Sequence, residues 1–349
     1  MLGSRHLMEG LRRAVSRRLS RWESGYSKRL RREIECYRAV ENVHDLPEIF
    51  HVWSALYVRP KMEEVFGVSG MEQFYAKYIF QFVEEHPAQE VSIASIGAGN
   101  GDFEVRIAAL LKQGGLARFH FQCLDINPAM LERGRLAASH EHLSEHFTFL
   151  ETDVARWKAA EPLAVVMAHH SLHHIQALET TFANIKAAIG ESGYFLSADM
   201  IGRNGHMRWP EALTIVHDIW RTMPDRYKYN HQLRRFEALY KNWDCSKEGF
   251  EGIRAQDILP LLTSLFHFEA FIAFGNIPDV FVDRGFGHNL SPSNPEDVAF
   301  VKSVGDLNDR LVCEGKVKPT QMMAVMRSRE GRPCRYHLHW TPQFCVRHP

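Results

Sequence analysis

Val91-Ser92-Ile93-Ala94-Ser95-Ile96-Gly97-Ala98-Gly99-Asn100-Gly101-Asp102 decides how the rest of the chain is read. A short apolar run with strand character leads straight into three glycines at alternate positions. An amphipathic helix pattern then begins, with Phe103, Ile107, Leu110 and Leu111 on one face. Glycine is needed where backbone turns at positive φ or approaches a ligand closely, and a helix start beyond it offers free N–H groups. The spacing is G-x-G-x-G. The dinucleotide fingerprint G-x-G-x-x-G would put its third glycine at the position of Asp102. A carboxylate is poorly placed beside a pyrophosphate, so this turn fits a ligand without phosphate.

Working outward, strands and helices alternate. Strand patterns cover 119–124, 147–150, 164–168 and 194–198, with helical patterns near 129–138 and 180–189. A helix over 255–265, a strand over 266–274, a helix near 297–311 and a final strand over 321–326 resume the order after an interruption. This alternation predicts an α/β fold, a doubly wound and mainly parallel sheet. Asp125 closes the second strand, in Cys123-Leu124-Asp125-Ile126-Asn127-Pro128, where an acid can hold both hydroxyls of a ribose. Asp153-Val154 follows the third strand, where a carboxylate can accept from an adenine amino group. Three sites at the carboxyl ends of successive strands converge on one crevice.

At these residues the chain resembles the class I S-adenosylmethionine-dependent methyltransferases, well over about 91–200 and loosely on to the final strand. The resemblance implies a Rossmann-like sheet of seven strands, the last antiparallel, with S-adenosyl-L-methionine as cofactor. Gly97, Gly99 and Gly101 would line its methionine part, with Asp102 close by. Asp125 and Ile126 would take the ribose, Asp153 and Val154 the adenine, and Ala168 would end the fourth strand against the cofactor. Ala168-His169-His170-Ser171-Leu172-His173-His174 looks like the "LHH" region of small-molecule members, and Gly190-Glu191-Ser192-Gly193 before the fifth strand also fits. One departure stands out. Many members have an acid two residues before the first glycine, and here that residue is Ser95. The cofactor's amino group then needs another acceptor, for which Asp102 or a backbone carbonyl is available.

Methyl transfer from a sulfonium is an in-line displacement with an excellent leaving group, so the protein chiefly orients the acceptor and excludes water. A base is needed only when the nucleophile arrives protonated. The residues after strands four and five face the methyl group. His170 is the first choice as base, with His169 and Asp199 as alternatives, because an imidazole titrates near neutrality. His169/His173 and His170/His174 are each one helical turn apart, but no third-ligand pattern accompanies them, and no metal is expected there. His173 and His174 read as supporting residues. Two Cys-x-x-His pairs near the end, Cys334/His337 and Cys345/His348, have zinc-like chemistry without a recognisable spacing.

The domain reading is a basic amphipathic arm over 1–44, a helical cap over 45–90, a methyltransferase domain over 91–327 with an inserted lid at about 202–250, and an irregular tail over 328–349. Tyr57, Arg59 and Lys61 of the cap can close over the cofactor, with core packing an equal reading for Tyr57, and Arg203 and Asn204 of the lid either recognise a carboxylate, phosphate or sugar hydroxyl or form a plain polar loop. The chain of 349 residues is 45% hydrophobic, which excludes wholesale disorder. Its 42 basic and 42 acidic residues cancel, but not evenly. Residues 1–40 hold eleven bases against four acids, a +7 segment on a −7 remainder. An apolar stripe runs through it, from Leu11, Val15, Leu19 and Trp22 to Tyr26, Leu30, Ile34 and Tyr37. Such a helix packs on its own domain or meets an anionic partner or membrane surface.

No apolar run is long enough to span a membrane, no secretory signal pattern is present, and six scattered cysteines suggest a reduced, cytoplasmic protein. The expected function is therefore transfer of a methyl group to a small-molecule acceptor, oxygen slightly favoured over nitrogen. One alternative is a nucleic-acid-modifying enzyme anchored by the arginine-rich segment. The Asn/Asp-Pro-Pro-aromatic motif of base-amino methyltransferases is absent after the fourth strand, which makes nucleic acid the weaker choice. The other alternative is a protein that binds S-adenosylmethionine for different chemistry or none.

Overall fold

The computed structural model describes residues 25–37, 46–87, 89–247 and 249–348. The stripe positions from Leu11 to Trp22 lie outside the described residues. A helix over 25–37, α1, comes first. It is followed by α2 (Glu48–Tyr57), α3 (Arg59–Phe66), α4 (Met71–Glu85), β1 (Val91–Ile96), α5 (Asp102–Gln113), β2 (Phe119–Asp125), α6 (Pro128–His140), β3 (Phe147–Glu151), β4 (Val165–His169), α7 (Leu178–Ile189) and β5 (Tyr194–Met200). An insertion then holds α8 (Pro210–Thr222) and a two-stranded ribbon, β6 (Tyr229–Asn230) with β7 (Arg235–Phe236). The chain closes with α9 (Ala255–Leu265), β8 (His267–Phe274), α10 (Asp279–Val282), α11 (Pro295–Cys313), β9 (Gln321–Arg327), β10 (Arg335–Tyr336) and α12 (Pro342–Cys345).

The main sheet runs β10-β8-β9-β5-β4-β1-β2-β3. β1 to β5 are parallel to one another, and β9 is antiparallel to both β5 and β8. The order reverses beside β1, between β4 and β2, which opens a crevice at the carboxyl ends. The strands are buried on both faces, and alternate residues serve different cores. Ile93, Val165 and Leu196 pack with α2 to α6, whereas Ala94, Val166 and Phe195 pack with α7, α8 and α9.

The sheet has eight strands, not seven. The extra one is β10, which pairs parallel to β8 through Arg335↔Ala270 and Tyr336↔Phe271. The tail is thus ordered rather than irregular. Trp340 and Cys345 are 1% and 2% exposed, and burying them draws the chain back along the sheet edge. A two-residue strand has no period to read. The cysteines and histidines of the tail do not gather into a ligand set among the described residues. His337 pairs with Glu64, His339 with the Cys313 carbonyl, and Cys345 is buried in the core.

The helices form where their sequences say they should. α4 carries Phe74, Tyr75, Tyr78, Ile79 and Phe82 on one buried face. α6 begins at Asn127, whose side chain accepts from Ala129 N, with Pro128 in its first turn. Within α6 the packing is tight. A Cβ at Gly134 would meet the Phe149 ring at 2.5 Å and the Asn100 carbonyl at 3.0 Å. That close approach seats α6 against the glycine turn. Among the described residues, no helix is long and apolar enough to cross a membrane. Gly134→Val should destabilise the fold by about 1–3 kcal/mol through overpacking, read from urea unfolding curves; wild-type stability would show that α6 is not held to the turn there.

Candidate active site

The glycine turn links β1 to α5 with Gly97, Gly99 and Gly101 all at positive φ, 66°, 56° and 64°. A Cβ at Gly97 would lie 2.6 Å from the Ser171 Cβ, so this glycine brings the turn against the segment after β4. The hydroxyl of Ser171 locks the contact by donating to the Ile96 carbonyl at 2.6 Å. Beneath the turn, the Ser95 hydroxyl donates to Glu104 at 2.6 Å, and Glu104 is 2% exposed. The acid that the strand end lacks is supplied from the first turn of α5. Position 104 falls on the apolar face with 107 and 111, and a carboxylate on a buried face is the signal that would have found it.

Asp125 lies where β2 ends. One oxygen accepts from Gly99 N at 2.9 Å and the other from Asn127 N at 2.8 Å. Burial pushes its pKa up, while those two amides, the nearby His174 ring and the Ile126 amide act against the rise. Asp153 accepts from Ala155 N at 3.0 Å and from the Tyr26 hydroxyl at 2.8 Å. That second contact comes from α1, which lies over the crevice. Asn127 donates to the Ile34 carbonyl, Tyr26 packs on Phe250 at 5.4 Å between ring centres, and the Tyr37 hydroxyl donates to Glu251 at 2.9 Å.

At the other end of the crevice, Asp199 closes β5. It is 1% exposed and accepts five hydrogen bonds. Ser171 N and Leu172 N reach one oxygen at 2.9 and 2.7 Å. His173 N, His173 Nδ1 and Met200 N reach the other at 3.3, 2.6 and 2.8 Å. Asp199 therefore shapes the turn after β4 from behind. His170, within that turn, has a left-handed φ of 49° and donates its N–H to Ala198 O at 2.8 Å. Such a conformation is uncommon outside glycine and persists only where surroundings enforce it. His169 stacks flat on Phe103, with ring centres 3.9 Å apart, and its Nδ1 lies 3.4 Å from the Tyr75 hydroxyl.

His173 points its other nitrogen at Glu251, 3.4 Å away. Burial alone would depress its pKa, but Asp199 and Glu251 on either side push it up to about 10. Burial would likewise raise Glu251, yet the His174, His173 and His206 rings hold it well below the carboxylate range. His206 Nε2 approaches Glu251 at 2.6 Å, and His174 Nδ1 approaches Glu33 at 2.6 Å. The insertion delivers these groups through backbone stitches: Ile253 N donates to His173 O at 3.1 Å, and Gly205 N to Gly252 O at 2.9 Å.

The glycine turn, Asp125, Asp153, the histidines after β4 and Glu251 border one cavity of ≈ 1390 Å³. Of the residues singled out from sequence for the cofactor, Gly97, Gly99, Asp102, Asp125, Ile126, Asp153 and Val154 line it. Gly101 and Ala168 are not among the lining residues; Gly101 turns the chain into α5 and Ala168 is fully buried within β4. Asp102 pairs with Arg106 at 2.7 Å. His169 and His170 both face the cavity, while Asp199 stands behind it. Tyr57, Arg59 and Lys61 do not line it. Tyr57 bonds Lys302 O and Asp306, and Lys61 pairs with Asp309 at 2.6 Å. Arg203 and Asn204 are also away from the lining: Arg203 donates to Arg208 O, and Asn204 exchanges hydrogen bonds with Gln256.

Comparison with known proteins bears on the same region. Residues 94–195 match the family model described as "Methyltransferase domain". The carboxy-S-adenosyl-L-methionine synthase of Desulfotalea psychrophila is 25% identical over 121 residues, which is 34% of this chain and 48% of that protein. The chain thus spans about half the length of the curated relative it matches. Among solved structures, an O-methyltransferase of a trans-AT PKS multienzyme of Brevibacillus brevis, in complex with S-adenosyl-L-homocysteine, is 11% identical, with a TM-score of 0.43 over 83% of this chain and 85% of that one. A SAM-dependent methyltransferase from Thiobacillus denitrificans, also with S-adenosyl-L-homocysteine, is 11% identical, with a TM-score of 0.39 over 82% of this chain and 100% of that one. With the glycine turn, the acids after β2 and β3 and the antiparallel β9 in place, residues 94–195 carry the match to a methyltransferase domain on the Rossmann-like sheet that the sequence resemblance implies.

Proposed function

We propose that this chain transfers a methyl group from S-adenosylmethionine to an oxygen of a small-molecule acceptor. One observation carries the reading: a single cavity of ≈ 1390 Å³ joins the glycine turn and Asp125 to the histidines after β4. That is more than the ~300–1,000 Å³ of an ordinary small-molecule site, and it has room for a nucleoside sulfonium and an acceptor together. Gly97 and Gly99 let backbone approach the methionine part, Asp125 takes the ribose and Asp153 the adenine amino group. Glu104, held by Ser95, places a carboxylate behind the turn where the cofactor's amino group lies.

His170 takes the acceptor's proton as the methyl group arrives. Its strained backbone holds the ring at the cavity wall, and His169, clamped between Phe103 and Tyr75, forms the floor beside it. Asp199 is a positioning residue, since its five hydrogen bonds are spent on the turn that carries both histidines. Walls formed by α1 and the insertion on two sides of the cavity suit a compact acceptor rather than a polymer. A second reading has one observation in its favour, the local likeness to a protein named for making a modified S-adenosylmethionine. There the sulfonium itself would be the product's core, and mass analysis of the cofactor after turnover separates the two.

Titration calorimetry should show S-adenosylmethionine binding that Asp125→Ala weakens at least about tenfold; no binding by the intact chain would overturn the proposal. With a labelled methyl donor and a metabolite extract to reveal the acceptor, His170→Ala should lower turnover by about 10²-fold or more at unchanged cofactor affinity. An unaltered rate would dismiss His170 as base. Asp199→Ala should cost about 3–5 kcal/mol of stability in denaturant unfolding; a variant of wild-type stability that loses only rate would instead put Asp199 in contact with the acceptor.

A further inference from the structure

Three imidazoles aim at one carboxylate in a corner of the cavity that methyl transfer by His170 leaves unused. His173 Nε2 and His206 Nε2 lie 3.4 and 2.6 Å from one oxygen of Glu251. His174 Nε2 lies 3.4 Å from the other. One nitrogen each of His173 and His206 and an oxygen of Glu251 fall within 4.8 Å of one another. We propose that His173, His206 and Glu251 form a binding site for a divalent transition-metal ion of the zinc class, open to the acceptor end of the cavity.

The donor set is the first argument. Two imidazoles and one carboxylate, with a further position left open, are a ligand set of catalytic zinc sites, and the second proton of His173 leaves to solvent as the ion binds. Ligand atoms about 2.1 Å from a tetrahedral ion stand roughly 3.4 Å apart, which is the His173–Glu251 separation; the His206–Glu251 pair would open by about 1 Å. Orientation is the second argument. A ligating histidine is ordinarily fixed by a carboxylate on its other nitrogen. Asp199 does this for His173 at 2.6 Å, and Glu33 does it at 2.6 Å for His174, the ring next to the set. The Tyr37 hydroxyl steadies the second oxygen of Glu251.

The third argument is the backbone. Gly205 and His206 are consecutive left-handed residues, with φ of 66° and 55°. A histidine rarely adopts this conformation without enforcement, and here it turns the ring inward to Glu251. Four elements, α1, the turn after β4, the end of β5 and the insertion, meet at this corner. Without the ion, protons shared among these rings and Glu251 hold the corner together. With it, the open position faces the cavity, where an acceptor hydroxyl or carboxylate could ligate and a hydroxyl would become easier to deprotonate. This last consequence rests on the methyl-transfer reading; the site itself does not.

The test is equilibrium dialysis of the full-length protein, stripped with chelator, against zinc chloride, with bound metal quantified per chain. One equivalent should bind, and Glu251→Gln and His206→Asn should each weaken binding at least about tenfold. Asparagine tolerates the left-handed backbone at position 206, and circular dichroism of both variants checks that they fold. Cobalt-loaded wild-type protein gives an independent reading. Its visible spectrum should show nitrogen and oxygen ligation without a thiolate charge-transfer band, and Cys334→Ser with Cys345→Ser should leave binding unchanged. Substoichiometric zinc, binding that survives both ligand variants, or a thiolate band would overturn the site. Calorimetry with S-adenosylmethionine on the same samples keeps the two proposals apart, since zinc binding without cofactor binding would sink the methyltransferase reading and leave this one standing.

Discussion

The Asp199 carboxylate is the constraint on which the histidine end of the cavity depends. A buried charge is costly unless it is fully hydrogen-bonded, and the chain meets that demand with four backbone amides and one imidazole. Those amides belong to the turn after β4 and the residue after Asp199 itself. Satisfying the carboxylate therefore bends residues 171–173 into one shape. Once that shape is set, His170 is forced into a left-handed conformation and His173 is aimed at Glu251. The Ser171 hydroxyl then ties the same turn to β1 at Ile96. One buried charge at the end of β5 thus couples the histidine end of the cavity to the glycine turn at its other end.

The glycine turn obeys a similar logic with different chemistry. Its backbone N–H groups need partners, and Asp125 supplies one at Gly99 from the end of the neighbouring strand. Two parallel strands thereby fix the loop between them before any ligand arrives. The charge asymmetry along the chain also finds a partial physical account. α1 belongs to the +7 segment, yet its inward side carries Tyr26, Glu33, Ile34 and Tyr37 and packs over the crevice. Arg29 donates to the Ser246 and Gly249 carbonyls, while Lys28, Arg31 and Arg32 stay in water.

Much of the fold was legible because parallel strands and their covering helices write strong, local patterns. β1 to β5, β8 and β9 fall within a residue or two of their sequence ranges, since buried strands are short apolar runs between turn residues. β10 was not legible, because two residues at an edge carry no period and Trp340 anchors them only through tertiary contact. The glycine-turn end of the cavity was legible for the same reason as the strands. Its residues sit at strand termini, and Gly97, Gly99, Asp125 and Asp153 all line the cavity. Tyr57 and Lys61, expected over the cofactor, are instead consumed by α11 through Asp306 and Asp309.

The sequence by itself determined the doubly wound sheet, its reversal point beside β1 and the identity of the acids that border the crevice. Each of these depends on residues close together in the chain, or on the regular alternation of strand and helix. Only the tertiary structure decided what stands opposite the histidines after β4. His173 had no visible partner in sequence because its partners lie 26, 33 and 78 residues on, at Asp199, His206 and Glu251. They arrive through a strand end, a left-handed turn and a loop, none of which has a spacing rule. Side-chain convergence across elements is set by packing, and packing is not written in any local period.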